Sequence, residues 1–248
     1  MPVTDIGARL VEAIGRSRGP GAIDRICRAC VDVLDIDAAA VSLVFHGRPA
    51  GTVGSSSVHA RACDEVQFTV GEGPCLESVR TRRPVLIDDL GDVGEPRWPA
   101  YRSAMLELGM SAVFAVPLLV AGSHVGALDL FRQRPGPLGT EPLRGALLAA
   151  QVLQLPLLDL AAAPGGAEPG VEDAAWEGDA TWAEIHALNR VEVAQATGML
   201  VGQLDVDAVE ALVRLRAHAY LTGRSASAVA HDILDGTVRL ERDAGPRP

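Results

Sequence analysis

Near the C-terminal end, apolar residues recur at three-or-four spacing in three consecutive segments: Val193, Ala196, Leu200 and Leu204; then Val209, Leu212, Leu215 and Ala219; then Val229, Ile233 and Val238. One apolar stripe per segment predicts three short amphipathic helices, and three such stripes can close one small core. The polar punctuation agrees. Asp207 stands three residues before Glu210, Ser225 and Ser227 precede the third helix, and Gly236 lies just past Leu234, where a left-handed C-cap residue belongs.

The preceding stretch alternates between helix and strand periods. Ile6, Leu10, Val11 and Ile14, then Ile23, Ile26, Cys27, Cys30 and Leu34, predict two helices separated by Gly19-Pro20-Gly21. Ala38 to Phe45 and Ala50 to Ser55 read as a hairpin around the turn His46-Gly47-Arg48-Pro49. Ser56 to Gln67 predicts a short helix, Gly71-Glu72-Gly73-Pro74 a break, and Cys75 to Val79 another helical turn. Val85-Leu86-Ile87 is a buried strand, Arg97-Trp98-Pro99 opens a helix carrying Tyr101, Met105 and Leu108, and Ser111 to Val120 and His124 to Phe131 form a second hairpin. A long helix from about Glu141 to Leu160 closes the unit. Hairpin-connected strands with helices gathered around them predict an antiparallel sheet packed with helices, an α+β fold, followed by a small all-α three-helix domain.

Two sets of motifs carry a family resemblance. The run Gln195-Ala196-Thr197-Gly198, then Ala211 with Leu215-Arg216 and Ala219, then Val229-Ala230 and Ile233, resembles the ANTAR domain, a three-helix RNA-binding output module of bacterial transcription antitermination regulators. Gly71-Glu72-Gly73-Pro74-Cys75-Leu76, Arg97-Trp98-Pro99, the strand Val113 to Leu118, and Gly126-Ala127-Leu128-Asp129-Leu130-Phe131 resemble the GAF fold, a small-molecule sensor domain. In this order the two are similar to the GAF-ANTAR regulators of actinobacteria. The resemblance implies a GAF-like sensor over residues 1–162 with its N-terminal helix, a linker over 163–180, an ANTAR-like RNA-binding domain over 181–240 and a tail over 241–248. It implies RNA contacts from Arg190, Gln195, Ala196, Thr197, Gly198, Arg214, Arg216 and Arg224, and ligand contacts from Gly73, Cys75 and Trp98. Its implied partners are structured RNA in nascent transcript hairpins, an unidentified small molecule and a second copy of the chain. The Asn-Lys-Phe-Asp-Glu signature of cyclic-nucleotide-binding GAF domains is not found. Thr197 stands where many ANTAR domains carry lysine, which removes a phosphate contact.

Composition adjusts this picture. At 248 residues the chain is long enough for an ordinary domain and a small one, and 48% hydrophobic content supplies a real core. The formal net charge of −10 runs against a general nucleic-acid affinity, and residues 181–240 hold five arginines against seven acids. RNA binding must therefore depend on a few placed arginines. Pro164-Gly165-Gly166, Pro169-Gly170 and the acids Glu168, Glu172, Asp173, Glu177 and Asp179 give 163–180 the composition of a self-repelling linker, in which Trp176 and the adjoining Trp182 suggest partial docking. The apolar run Leu147 to Ala163 is interrupted by Gln151, Gln154, Pro156 and Asp159, so the expectation is a cytoplasmic protein without a membrane span.

Four cysteines do not make a disulfide framework. Cys27 and Cys30 form a Cys-x-x-Cys, but inside a helix rather than at its start, so core packing is the reading. His59 and Cys63 share a helical face without the fuller ligand set that zinc needs. No motif-supported nucleophile, base or paired-carboxylate arrangement is found, and the expectation is a regulator without catalytic activity or cofactor.

Overall fold

The computed structural model describes residues 3–14, 20–45, 47–161 and 191–241, which fall into two units divided between Asn189 and Arg190. The expected linker, with Trp176 and Trp182, lies outside the described residues, as do His46 and most of the tail.

In the first unit, α1 (Val3–Ile14) and α2 (Pro20–Val33) precede a hairpin of β1 (Ala38–Phe45) and β2 (Arg48–Ser55). Next come α3 (Val58–Val70), α4 (Pro74–Thr81), β3 (Val85–Ile87), α5 (Pro99–Glu107), β4 (Ala112–Val120), β5 (Ser123–Arg132), α6 (Thr140–Val152) and α7 (Gln154–Ala161). The five strands form an antiparallel sheet in the order β2-β1-β5-β4-β3.

Strand side chains alternate across the sheet, so each face has its own core. On one, Val41 and Leu43 of β1, Phe114, Val116 and Leu118 of β4, and Leu128 and Leu130 of β5 pack against α1, α2, α6 and α7. On the other, Ala38 and Ala40 of β1, Ala115 of β4, and Ala127 and Phe131 of β5 meet Ala60 and Cys63 of α3, Cys75 of α4, and Tyr101 and Met105 of α5. Cys27 and Cys30 lie fully buried in the first of these cores, where burial pushes the Cys30 thiol up to about 12. That is the packing role expected of them.

Two boundaries differ from the sequence reading. Arg48 and Pro49 belong to β2 rather than to the turn; β2 is an edge strand, where proline's missing N–H costs no ladder bond. The long closing helix is two helices parted at Leu153, because Pro156 cannot bond back to Val152 and its ring crowds that carbonyl. Thr140–Leu160 has the length and composition of a membrane span, yet Ala146, Ala149, Leu153 and Leu157 are buried in the protein's own core.

The second unit comprises α8 (Val191–Leu204), α9 (Ala208–Leu221) and α10 (Ala226–Leu234). Val193, Ala196, Leu200 and Leu204 are buried as the stripe predicts. On α9 the core face is Ala211, Leu215 and Ala219, so the expected stripe is rotated: Val209 is half exposed and Leu212 only partly covered. The third stripe is Ala226, Val229, Ala230 and Ile233. Val238 falls beyond the helix, which ends at Leu234, two residues before Gly236 with its φ of 73°. Asp207 and Ser225 are the N-caps, accepting from the amides of Glu210 at 2.8 Å and Ala228 at 3.1 Å.

Candidate functional site

On α8, Gln195, Gly198 and Gly202 are exposed, and a Cβ built on Gly198 meets nothing within 4 Å. Gly198 is therefore not needed for internal packing. Ala196, two residues earlier, points the other way and is fully buried, which corrects its expected place on the RNA face: positions two apart on a helix do not share a side. Thr197 is half buried, and its hydroxyl donates to the Val193 carbonyl at 2.7 Å.

The arginines differ in how they are held. Arg214 of α9 donates to Glu210 at 2.8 Å, one turn away, and Arg224 pairs with Asp232. Arg216, half buried, is one turn before Tyr220, which is 50% exposed. Arg190 lies outside the described residues. A feature missed in the sequence is the outward side of α9, where Val209, Val213 and Leu221 are 50%, 52% and 82% exposed. Counting Val209 into the core stripe concealed it.

In the first unit, a cavity of about 740 Å³ opens beside α4, bounded by Gly71, Glu72 and Gly73, by Leu76, Glu77 and Arg80, by Trp98, and by Gly122, Ser123 and His124 of the β4–β5 turn. Gly73 and Trp98 line it as expected. Cys75 does not: α4 turns Cys75 and Ser78 into the core and leaves Leu76, Glu77 and Arg80 on the cavity side. The glycines here are required by geometry. Gly71 has φ 76° and Gly73 φ 149°, and a Cβ on Gly73 would stand 2.4 Å from Gln67 Oε1.

Trp98 is held in the left-handed region at φ 50°, ψ 60°, a strained state for a bulky residue. Several contacts hold it there. The Arg97 guanidinium lies 4.6 Å from its ring centre and also bonds Glu77 and Glu95, while Tyr101 meets the ring edge-on. Trp98 offers no side-chain cap to α5, and Glu72 supplies one by accepting from the Ala100 and Tyr101 amides at 3.0 and 3.3 Å.

Behind Gly73, between the sheet and α3–α5, is a second group of polar side chains that the sequence reading passed over. Ser42 donates to Asp129 Oδ2 at 2.8 Å and sits 3.1 Å from Cys75 Sγ. Thr52 donates to Asp64, and Gln67 Oε1 accepts from the Cys75 amide at 2.8 Å. Asp129, Asp64 and Gln67 are at most 3% exposed. Burial, and then Asp64 beside it, push the Asp129 carboxyl well above the usual carboxylate range. Strand parity held the clue: Asp129 alternates with Ala127 and Phe131, so it points into the core.

A family model described as GAF domain matches residues 21–152, and another described as ANTAR domain matches residues 186–234. Among solved structures, the chain is similar to the GAF domain of a phosphoenolpyruvate-protein phosphotransferase from Coxiella burnetii, with 14% identity and TM-score 0.47 over 62% of this chain and 91% of that one. It is also similar to reduced fRMsr of Staphylococcus aureus, with 14% identity and TM-score 0.46 over 62% and 94% of the two chains. No curated protein matches. ANTAR domains are RNA-binding modules of antitermination regulators, and GAF domains are sensory. By the match over residues 21–152 the chain belongs to the GAF domain family, and its last three helices lie within an ANTAR domain.

Proposed function

We propose that this chain is a signal-responsive, non-enzymatic cytoplasmic regulator: a small molecule bound by the GAF domain governs whether the ANTAR domain, as a homodimer, grips nascent RNA hairpins and promotes antitermination. The observation that carries this reading is the open face of α8, where Gln195 and Gly198 are exposed with nothing above Gly198, inside the segment matched by the ANTAR model. RNA backbone can approach such a surface closely. Arg216 and Tyr220 add a guanidinium and an aromatic ring at one-turn spacing on α9, chemistry suited to phosphate contact and base stacking. Arg214 and Arg224 take part by exchanging exposed carboxylate partners for phosphate, and Arg190 precedes α8. On the sensor side, Gly73 and Trp98 border the cavity in which the small molecule would sit.

The test is recovery and sequencing of RNA bound to the full-length chain in cells, paired with gel-shift titration of Arg216→Ala against the recovered RNA. Enrichment of paired hairpins ahead of terminators, and weaker binding by a well-folded Arg216→Ala, are expected. Recovery of no specific RNA would sink the reading. Light scattering of the RNA complex tests the dimer. A second reading is favoured by one observation: Val209, Val213 and Leu221 form an apolar outward side on α9, which suits a protein partner. Val213→Asp that abolishes regulation in cells while RNA affinity is kept would support it.

A further inference from the structure

We propose that the outer cavity beside α4 takes a flat organic anion, an aromatic ring bearing a carboxylate or a phosphate, with Arg80, Arg82 and His124 around its acid group and Trp98 beside its ring. On the sensor reading above, on which this rests, that anion is the signal. The acids of the cavity wall are already engaged. Glu72 accepts from the Ala100 and Tyr101 amides, and Glu77 pairs with Arg97 at 2.8 Å. Arg80 and Arg82 line the same cavity with exposed side chains, and among the described residues neither guanidinium has an acid or a hydrogen-bond partner. Guanidinium groups left in this state beside a cavity suit a carboxylate or phosphate, which accept their N–H groups in pairs.

His124, partly covered at the start of β5, is the third basic group of the wall. Burial, and then the Arg82 charge, hold its imidazole below the ordinary value. Arg82 at the end of α4 and His124 on β5 thus act on each other across one cavity, and an anion lodged between them offsets that charge. The backbone points the same way. Arg82 is the C-cap of α4 at φ 58°, ψ 32°, a position where glycine is usual because a Cβ is strained there. Trp98 shares that left-handed conformation at φ 50°. Two bulky residues therefore hold unfavourable backbone while presenting a guanidinium and an indole to the same space, and strain of this kind gathers at ligand sites.

Size and wall chemistry set the rest of the class. The cavity of about 740 Å³ is of the size that holds whole organic ligands, far more than a bare inorganic ion needs. Leu76, Val79 and Trp98 give it apolar wall, which a ring covers and an inorganic ion leaves wet. The chain's net charge of −10 repels anions at long range, so affinity must come from this local cluster and fall when one of its arginines is removed.

The experiment titrates the full-length chain at neutral pH and fixed low salt with benzoate and with phenyl phosphate, by calorimetry and thermal shift. Benzamide, a ring without charge, and inorganic phosphate, a charge without a ring, are the controls. Saturable binding and a rise in Tm are expected with at least one of the ringed anions, about tenfold tighter than either control, and the tighter of the two identifies the acid group. Arg82→Gly should fold at least as well as the parent, because glycine relieves the left-handed strain, and should bind about tenfold more weakly. Arg80→Gln, on the exposed side of α4, should weaken binding in the same way. Absence of saturable binding by both ringed anions overturns the proposal, as does parental affinity in both variants. Benzamide binding as tightly as benzoate overturns the anion but keeps the cavity as a ligand site. Arg82-dependent binding that leaves RNA affinity unchanged keeps the anion site and sinks its signalling role, so the two readings fail separately.

Discussion

Gly198 allows a sharp test of the α8 face. A mid-helix glycine costs about 1 kcal/mol relative to alanine, because the unfolded chain loses more backbone freedom on folding. A Cβ at this position meets nothing within 4 Å, so Gly198→Ala should recover about 1 kcal/mol with no steric penalty. For a unit of this size that raises the melting temperature of the three helices by about 4–8 °C. Gly198→Leu should also fold, since leucine's helix propensity is close to that of alanine and the side chain enters solvent. If RNA packs against this face, the leucine fills the space it occupies, and affinity should fall by tenfold or more, ~1.4 kcal/mol or greater. Circular dichroism melts of the full-length variants and gel-shift titrations at fixed low salt supply both numbers. Gly198→Leu that folds and binds normally would remove the face from the RNA site. One that unfolds the bundle would refute the open-space geometry itself.

Other expectations follow from local geometry. Gly73→Ala places a Cβ 2.4 Å from Gln67 Oε1 at φ 149°, so urea unfolding should show a loss of about 1–3 kcal/mol. Ser225→Ala removes the cap on the Ala228 amide and should cost about 1 kcal/mol, read as a lower Tm of the C-terminal helices. The Arg97 guanidinium holds Glu95 at about 2 against an ordinary 4.5. A carboxyl lowered in the fold stabilises above its unfolded value, and that share is lost as pH falls from 4.5 towards 2. Glu95→Gln should therefore narrow its stability gap to the parent across that window, and a constant gap in urea midpoints would remove the linkage.

What the sequence made legible was periodicity in strongly apolar residues. Val193, Leu200 and Leu204 identified the α8 core face without ambiguity, and each is buried. On α9, Leu215 and Ala219 were placed in the core correctly, but Ala211 was passed over because alanine is a weaker signal than the exposed Val209. Pro156 did mark the α6–α7 break, but hydropathy runs straight through it. Cys75 was assigned to the cavity from a motif that fixes position along the chain and not the side of the helix. The enclosed polar group was hidden for another reason: Ser42, Thr52, Asp64, Gln67 and Asp129 come from separate elements and meet only through strand register and helix packing. Gly198 was visible as a mid-helix glycine, but only the open space around its Cα shows that internal packing does not require it.

The Gly71–Cys75 segment joins features that would otherwise be unrelated. Gln67, near the end of α3, accepts the amide of Cys75 near the start of α4; Gly73 packs on that same Gln67 side chain; Glu72 caps α5. Three helices are thus fastened through Glu72, Gly73 and Cys75, beside the outer cavity. A molecule pressing on Gly73 or Trp98 from the outer cavity would bear on this fastening. Close packing makes such a junction respond by switching between discrete arrangements rather than by gradual deformation. The strained backbone of Trp98 fits this role, because an unfavourable φ persists only while the surrounding contacts enforce it, and Arg97, Glu77 and Tyr101 are the groups that do so here.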